Sequence, residues 1–367
     1  MEEKLLKNEE KAIFALRSLY RSHGYLPFKM SKFEEYELYV RNKDFLVSDR
    51  IITFNDTNGK LMALKPDVTL SIIKNTSDVQ GVKQKVYYNE NVYRVSQRTH
   101  QYKEIMQAGL ECVGDLNAYD LFETVLLAAK SLALISEDFV LDVSHLGILT
   151  ALLDEIGGGE AFRREVAACI AGKNRHDLEK LCLGEGICES GIQKLRSFID
   201  IYGDMDQVLA RLSPICESGA AREALEELKT LAALLKNTPY AHRIRFDFSI
   251  VNDMSYYNGI VFRGFLSGIC EGVLAGGQYD KLLRRMGRKS GAIGFALYLD
   301  LLEELQGSRE GYDVDVLVLC NKDTDPAEPA KLVSELTAAG KCVSVQQAIP
   351  QKLRYRELMD LRKGEQA

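Results

Sequence analysis

Hydrophobic spacing changes twice along the chain, and the changes mark out its organisation. The opening stretch MEEKLLKNEEKAIFALRSLY reads as an amphipathic helix that runs to about His23-Gly24, where glycine ends it. Acids among its first residues distinguish it from a secretory signal. FLVSDRIITFND and NGKLMALK then predict two β-rich runs joined by a turn at Asp56-Thr57-Asn58-Gly59. Pro66 suits the first turn of a helix, VTLSIIKN. Strand character follows in KQKVYYNENVYRV and YKEIMQAGLECVG. Helices are predicted in AYDLFETVLLAAKSLALI and GILTALLDEIG, with a strand, FVLDVSH, between them.

From about Gly157 to Leu235 strand signals nearly vanish and helical periodicity dominates, which predicts a helical insertion in a mixed domain. β-character returns in RIRFDFSIV and YNGIVFRGFL, followed by a Gly-rich turn, AGGQYDKLL. AIGFALYLDLLEEL is predicted as a helix. After Gly311 comes a short βαβ-like tail: VDVLVLC, PAKLVSELTAAG and CVSVQQ. Strands on either side of a helical block imply an α+β fold, a mostly antiparallel sheet flanked by helices. The expected division is a core of residues 1–310, with the insertion at 157–235, and a small α/β tail of 311–367.

Composition narrows the picture. With 367 residues, 46% of them hydrophobic, the chain can bury substantial cores. It has no apolar run long enough for a transmembrane helix, so no membrane role is expected. Eight cysteines lie scattered without a CxxC pair, which supports reduced thiols in a cytoplasmic protein rather than a metal site or a disulfide framework. A net charge of −6 gives no sign of a broad basic surface for nucleic acid.

The segment FSIVNDMSYYNGIVF, residues 248–262, resembles the signature loop and strand of histidyl-tRNA synthetases. Tyr256 and Tyr257 keep the aromatic wall of a histidine pocket. The family's preceding arginine and glycine, and the acid beside the tyrosines, are here Asn252, Asp253 and Ser255. ALKPDVTLSIIKN is similar to the family's Leu-Arg-Pro-Glu-Gly-Thr element. It supplies Asp67 and Thr69, which could hold an amino acid's ammonium group by charge-assisted hydrogen bonds. An acid at a helix start also gains from the dipole with no ligand at all.

VYRVSQRTHQYKEIMQAGLECVG looks like motif 2 of the class II synthetases. On a strand, Gln107, Gly109 and Glu111 share one side by the two-residue period, so the two polar side chains would stand over a glycine floor with room for a ligand. Glu111 could accept from an imidazole N–H while Tyr256 supplies the other contact; polar residues on a strand also commonly do no more than face solvent. Arg94 matches the motif's first arginine, a candidate anion contact, but the acid expected two positions later is Ser96. His100 in the loop reads as solvated. In AGGQYDKLL, Gly276 and Gly277 would let backbone approach a ligand or simply form a turn, and the family's arginine there is Gln278. GAIGFALYLDLLEEL is similar to motif 3. Its phosphate-clamping arginine aligns with Leu301 and its glycine with Tyr298, while motif 1 has Ser31 where proline is expected.

Residues matching the histidine contacts (Asp67, Thr69, Gln107, Glu111, Tyr256, Tyr257) thus survive in type. Those matching the ATP grip (Ser96, Asn252, Leu301) do not. The chain resembles the regulatory subunits of ATP phosphoribosyltransferase, synthetase-like proteins that accompany the short form of that catalytic subunit. The resemblance implies a non-catalytic role in the first step of histidine biosynthesis and feedback by L-histidine. It also implies homodimers within a hetero-oligomer, no cofactor and no tRNA. The alternatives are a working histidine–tRNA ligase with divergent motifs, or a histidine-sensing scaffold with another partner.

Overall fold

The computed structural model describes residues 8–42, 51–95, 100–217, 219–251, 256–305 and 312–362. Two compact units result, Met1–Leu305 and Gln306–Ala367.

The large unit is built on a nine-stranded sheet. Its order is Leu26–Pro27, Lys83–Val95, Tyr102–Gly114, Gly291–Tyr298, Leu274–Gln278, Ile260–Leu266, Phe139–His145, Ile244–Asp247 and Tyr202–Gly203. Leu26–Pro27 joins its neighbour in parallel, and so do Phe139–His145 and Ile244–Asp247; the remaining pairings are antiparallel. The long hairpin of Lys83–Val95 and Tyr102–Gly114 keeps one register throughout, from Val95 opposite Tyr102 to Lys83 opposite Gly114.

One face of the sheet packs on the helices Asn8–Ser22 and Ala118–Ala133. Leu16, Tyr20, Leu127 and Leu132 meet Leu110, Cys112, Phe262 and Phe295 in a continuous apolar core. The first helix stops before Gly24, whose φ of 81° places it in the left-handed region glycine favours. Asn117 opens the second with a reciprocal capping box to Asp120, satisfying N–H groups that the first turn leaves unpaired.

Residues 157–235 hold the helices Glu160–Ala171, Arg175–Glu185, Glu189–Ile199, Met205–Leu212 and Gly219–Leu235, plus the two-residue edge strand Tyr202–Gly203. Phe162, Leu195, Phe198, Leu225 and Leu228 point inward from them and are buried. Among the described residues, no helix is long and apolar enough to cross a membrane.

Several local expectations are corrected. The helix predicted around Pro66 begins only at Thr69, so Pro66 lies ahead of its first turn. AGGQ is no turn: Gly276 and Gly277 sit inside the strand Leu274–Gln278, with strands on both sides. The predicted helix AIGFALYLDLLEEL is a central strand, Gly291–Tyr298, followed by 3-10 turns over Leu299–Leu305. Its position explains the error. A strand covered on both faces shows no polar alternation, so it reads like a buried helix. The small unit is a three-stranded parallel sheet, with Val314–Leu319 between Val343–Gln346 and Tyr355–Asp360, and the helix Ala327–Ala338. Sequence patterning did not find its third strand, YRELMD, because charged residues occupy half of it.

Candidate functional site

The face of the sheet opposite the two helices carries the site. By the two-residue period, Gln107, Gly109, Glu111 and Val113 point to it from Tyr102–Gly114. Across the next strand, Ala292 stands opposite Val113, Gly294 opposite Glu111, Ala296 opposite Gly109 and Tyr298 opposite Gln107. Gly277 continues the Glu111–Gly294 row.

Glu111 is buried, with 2% of its surface exposed. Its carboxyl accepts from the Thr69 hydroxyl at 3.1 Å and, through the other oxygen, from the Tyr279 hydroxyl. Burial pushes the Glu111 carboxyl up to about 8; those two hydrogen bonds oppose the rise and the nearby Asp67 charge adds to it. Thr69 also hydrogen-bonds Tyr256. The Tyr256 ring lies edge-on to Tyr257 at 4.6 Å between centroids and 5.8 Å from Tyr279. Burial raises the hydroxyl pKa of Tyr256 and Tyr279 well above the ordinary tyrosine range, so both stay protonated donors at neutral pH.

Room for the carboxylate comes from Gly294. A Cβ at that position would overlap a Glu111 oxygen and crowd the Leu110 carbonyl. The expected glycine floor at Gly109 is corrected. The Tyr88 hydroxyl lies where a Gly109 side chain would project, and it reaches the Phe295 carbonyl at 3.4 Å, so this glycine makes room for Tyr88 and not for a ligand. Gly277 serves the wall, because a Cβ there would run into the Tyr257 ring and the Ile260 carbonyl. Next to Tyr257 a crevice of about 20 Å³, lined in part by Leu146, Ile250, Val261 and Ala275, is the size of a water.

Asp67 belongs to the same cluster but is already engaged. It sits just before the helix Thr69–Asn75 and accepts the Leu70 N–H at 3.0 Å, as a capping side chain does. Burial raises its pKa, against the pull of the Leu70 N–H and the Arg94 charge. Arg94 donates through Nε to the Pro66 carbonyl at 2.9 Å, which ties motif 2 to the segment carrying Asp67. Gln107 is buried two residues before Gly109, opposite Glu90 and Tyr298. Thus Asp67, Thr69, Glu111, Tyr256 and Tyr257 converge, Arg94 braces them, and Gln107 lies at the margin.

Sequence reasoning missed four contributors: Tyr279, Tyr88, Gly294 and Lys65. Lys65 is fully buried and meets Glu90 at 2.6 Å, beside Gln107. Tyr279 follows directly on the Gly-Gly-Gln element and was readable from it; Tyr88 and Gly294 depend on cross-strand register, and Lys65 on a side-chain ion pair with Glu90.

The positions matched to the ATP grip divide. Ser96, Asn252, Asp253 and Ser255 lie outside the described residues. Leu301 packs against the main apolar core, and Tyr298 stands on the site face. His100 is exposed, with a φ of 54°.

A family model described as histidyl-tRNA synthetase matches residues 2–302. A protein from Oceanobacillus iheyensis named ATP phosphoribosyltransferase regulatory subunit is 27% identical over 290 residues, 78% of this chain and 71% of that protein. Among solved structures, an ATP phosphoribosyltransferase regulatory subunit/histidyl-tRNA synthetase from Bacillus halodurans superposes with a TM-score of 0.76 at 22% identity, over 97% of this chain and 94% of that one. A chain of the ATP phosphoribosyl transferase complex from Thermotoga maritima does so with a TM-score of 0.61 at 21% identity, over 79% and 97%. With the family model spanning most of its length and the class II sheet beneath the site, the chain belongs to the histidyl-tRNA synthetase family.

Proposed function

We propose that the chain is the regulatory subunit of an ATP phosphoribosyltransferase. In this reading it has no aminoacylation activity of its own, senses L-histidine in the pocket around Glu111, and acts as a cytoplasmic homodimer within the complex, without binding tRNA. The relatives' names and the fold shared with a phosphoribosyl transferase complex support the assignment of the partner.

The observation that carries the loss of synthetase chemistry is Leu301. A partly buried apolar side chain, packed against the core, stands where the family's motif 3 is expected to present a cation to the ATP phosphates. Activation of an amino acid depends on fixed charges around those phosphates. One missing group of that kind typically costs about a hundredfold or more in rate. Tyr298, on the site face opposite Gln107, adds bulk where the motif has glycine.

Histidine's side chain needs one donor and one acceptor. Glu111 and the hydroxyls of Tyr256 and Tyr279 can supply either, since the carboxyl is poised near neutrality and the hydroxyls rotate. Calorimetric titration tests the pocket: Glu111→Gln and Tyr256→Phe should each weaken histidine binding at least tenfold while the fold persists. Unchanged affinity in both would place the sensor elsewhere. Histidine-dependent ATP–pyrophosphate exchange separates the regulator from its rival, an active histidine–tRNA ligase, which the double name of the Bacillus halodurans structure keeps in play. Silence is expected.

A further inference from the structure

Away from this cluster, three helices of the 157–235 block line an open cavity of about 590 Å³. Arg175 enters it from the first turn of Arg175–Glu185, Arg196 from the last turn of Glu189–Ile199, and Arg211 from the last turn of Met205–Leu212. Three guanidinium groups therefore converge from separate elements. Ile201 and Ile215 give the hollow an apolar side.

The arginines differ in what holds them. Asp200 receives both Nε of Arg175, at 3.1 Å, and a second N–H of the same guanidinium. Arg196 meets Glu179 at 3.0 Å. Arg211 has no carboxylate within ion-pair distance among the described residues, although it lines the same cavity. Two guanidiniums are thus paired with carboxylates, and among the described residues the third has none. Such an arrangement favours an anion with several oxygens on one centre, which planar N–H forks grip in pairs.

Charge around the cavity selects the size of that anion. Residues 157–235 carry thirteen acids against ten bases. A long polyanion lying across this block would meet a net negative charge, and phosphate-by-phosphate binding favours the opposite. A compact anion inside the hollow meets three arginines and a single carboxylate, Asp200, which is already paired with Arg175. The volume is in the range typical of small-molecule sites.

We propose that this cavity binds a compact organic phosphate, its charged group between Arg196 and Arg211 and its apolar part against Ile201 and Ile215. The test is calorimetric titration of the full-length chain with adenosine 5′-monophosphate and with inorganic pyrophosphate, at low and high salt. Saturable binding at one site, weakened by salt, is expected. Arg211→Ala and Arg196→Gln should each weaken it at least tenfold, leaving melting temperature and histidine affinity unchanged. Arg211→Lys should fall between Arg211→Ala and the unsubstituted chain, because an ammonium keeps the charge but loses the fork. Absence of saturation with both probes would overturn the proposal. So would equal affinity in the arginine variants, or binding of an RNA hairpin where the mononucleotide fails. Because histidine affinity is read in the same variants, failure here is distinguishable from failure of the regulatory reading.

Discussion

Glu111 is buried against two hydroxyls and near a second carboxyl, Asp67, and that environment has a thermodynamic sign. Its folded pKa is raised to about 8 from an ordinary value of 4.5. Between those limits the folded chain keeps a proton that the unfolded chain has released. Stability contributed by this group is therefore complete below about pH 4.5, falls as pH rises, and levels off above about pH 8. A tenfold difference in proton affinity between the two states is worth about 1.4 kcal/mol, so the fall amounts to about 5 kcal/mol at most. Chemical denaturation of the parent and of Glu111→Gln across pH 5–8 should show the variant with the shallower decline. Parallel curves would mean that Glu111 ionises as freely as a surface carboxylate. Lys65 poses the converse case. Its ammonium is paired with Glu90 out of water, and Lys65→Met would leave Glu90 largely buried without its partner. A loss of about 3 kcal/mol is expected from urea unfolding; a loss below about 0.5 kcal/mol would show that Glu90 finds water or protonates without difficulty.

At the scale of elements, the strand Gly291–Tyr298 does the most to shape the site, and it was the least legible. Its run GAIGFALY has no polar residue short of its terminal tyrosine to reveal a face, because both faces are covered. The long hairpin was fully legible, since tyrosines and β-branched residues recur along it and it ends cleanly at Gly114. Parity along that hairpin also placed Gln107 and Glu111 on one side from sequence alone. What parity could not give was the identity of the neighbours. Gly294 and Tyr88 reach Glu111 and Gly109 only through strand register, which no local pattern encodes. Asp67 and Arg94 were visible as charged residues, but their partners, the Leu70 N–H and the Pro66 carbonyl, are backbone groups that sequence cannot assign. Gly294→Ala is the sharp test of this strand. The added methyl meets both Glu111 and the Leu110 backbone in a region with no space to yield. A loss of more than about 3 kcal/mol, or failure to fold, is expected in thermal denaturation. A melting temperature within a degree or two of the parent would refute the register that places Glu111 over Gly294.

On the scale of the whole molecule, one sheet serves two ends. Its helix-covered face supplies the large apolar core, against which Leu301 packs, and its other face supplies a cluster of buried hydroxyl and carboxyl groups. In the proposed regulatory role, histidine bound at this cluster would act by favouring one arrangement of the assembly over another. That coupling is typically about 1–3 kcal/mol and requires unequal affinity for the two arrangements. The decisive measurement of the proposed regulation is phosphoribosyl transfer by the short catalytic subunit, with and without this chain, while histidine is titrated. Histidine is expected to inhibit only when the chain is present, and Glu111→Gln to shift the inhibition to at least tenfold higher histidine. A catalytic subunit whose rate and histidine response are the same in the presence and absence of the chain would contradict it.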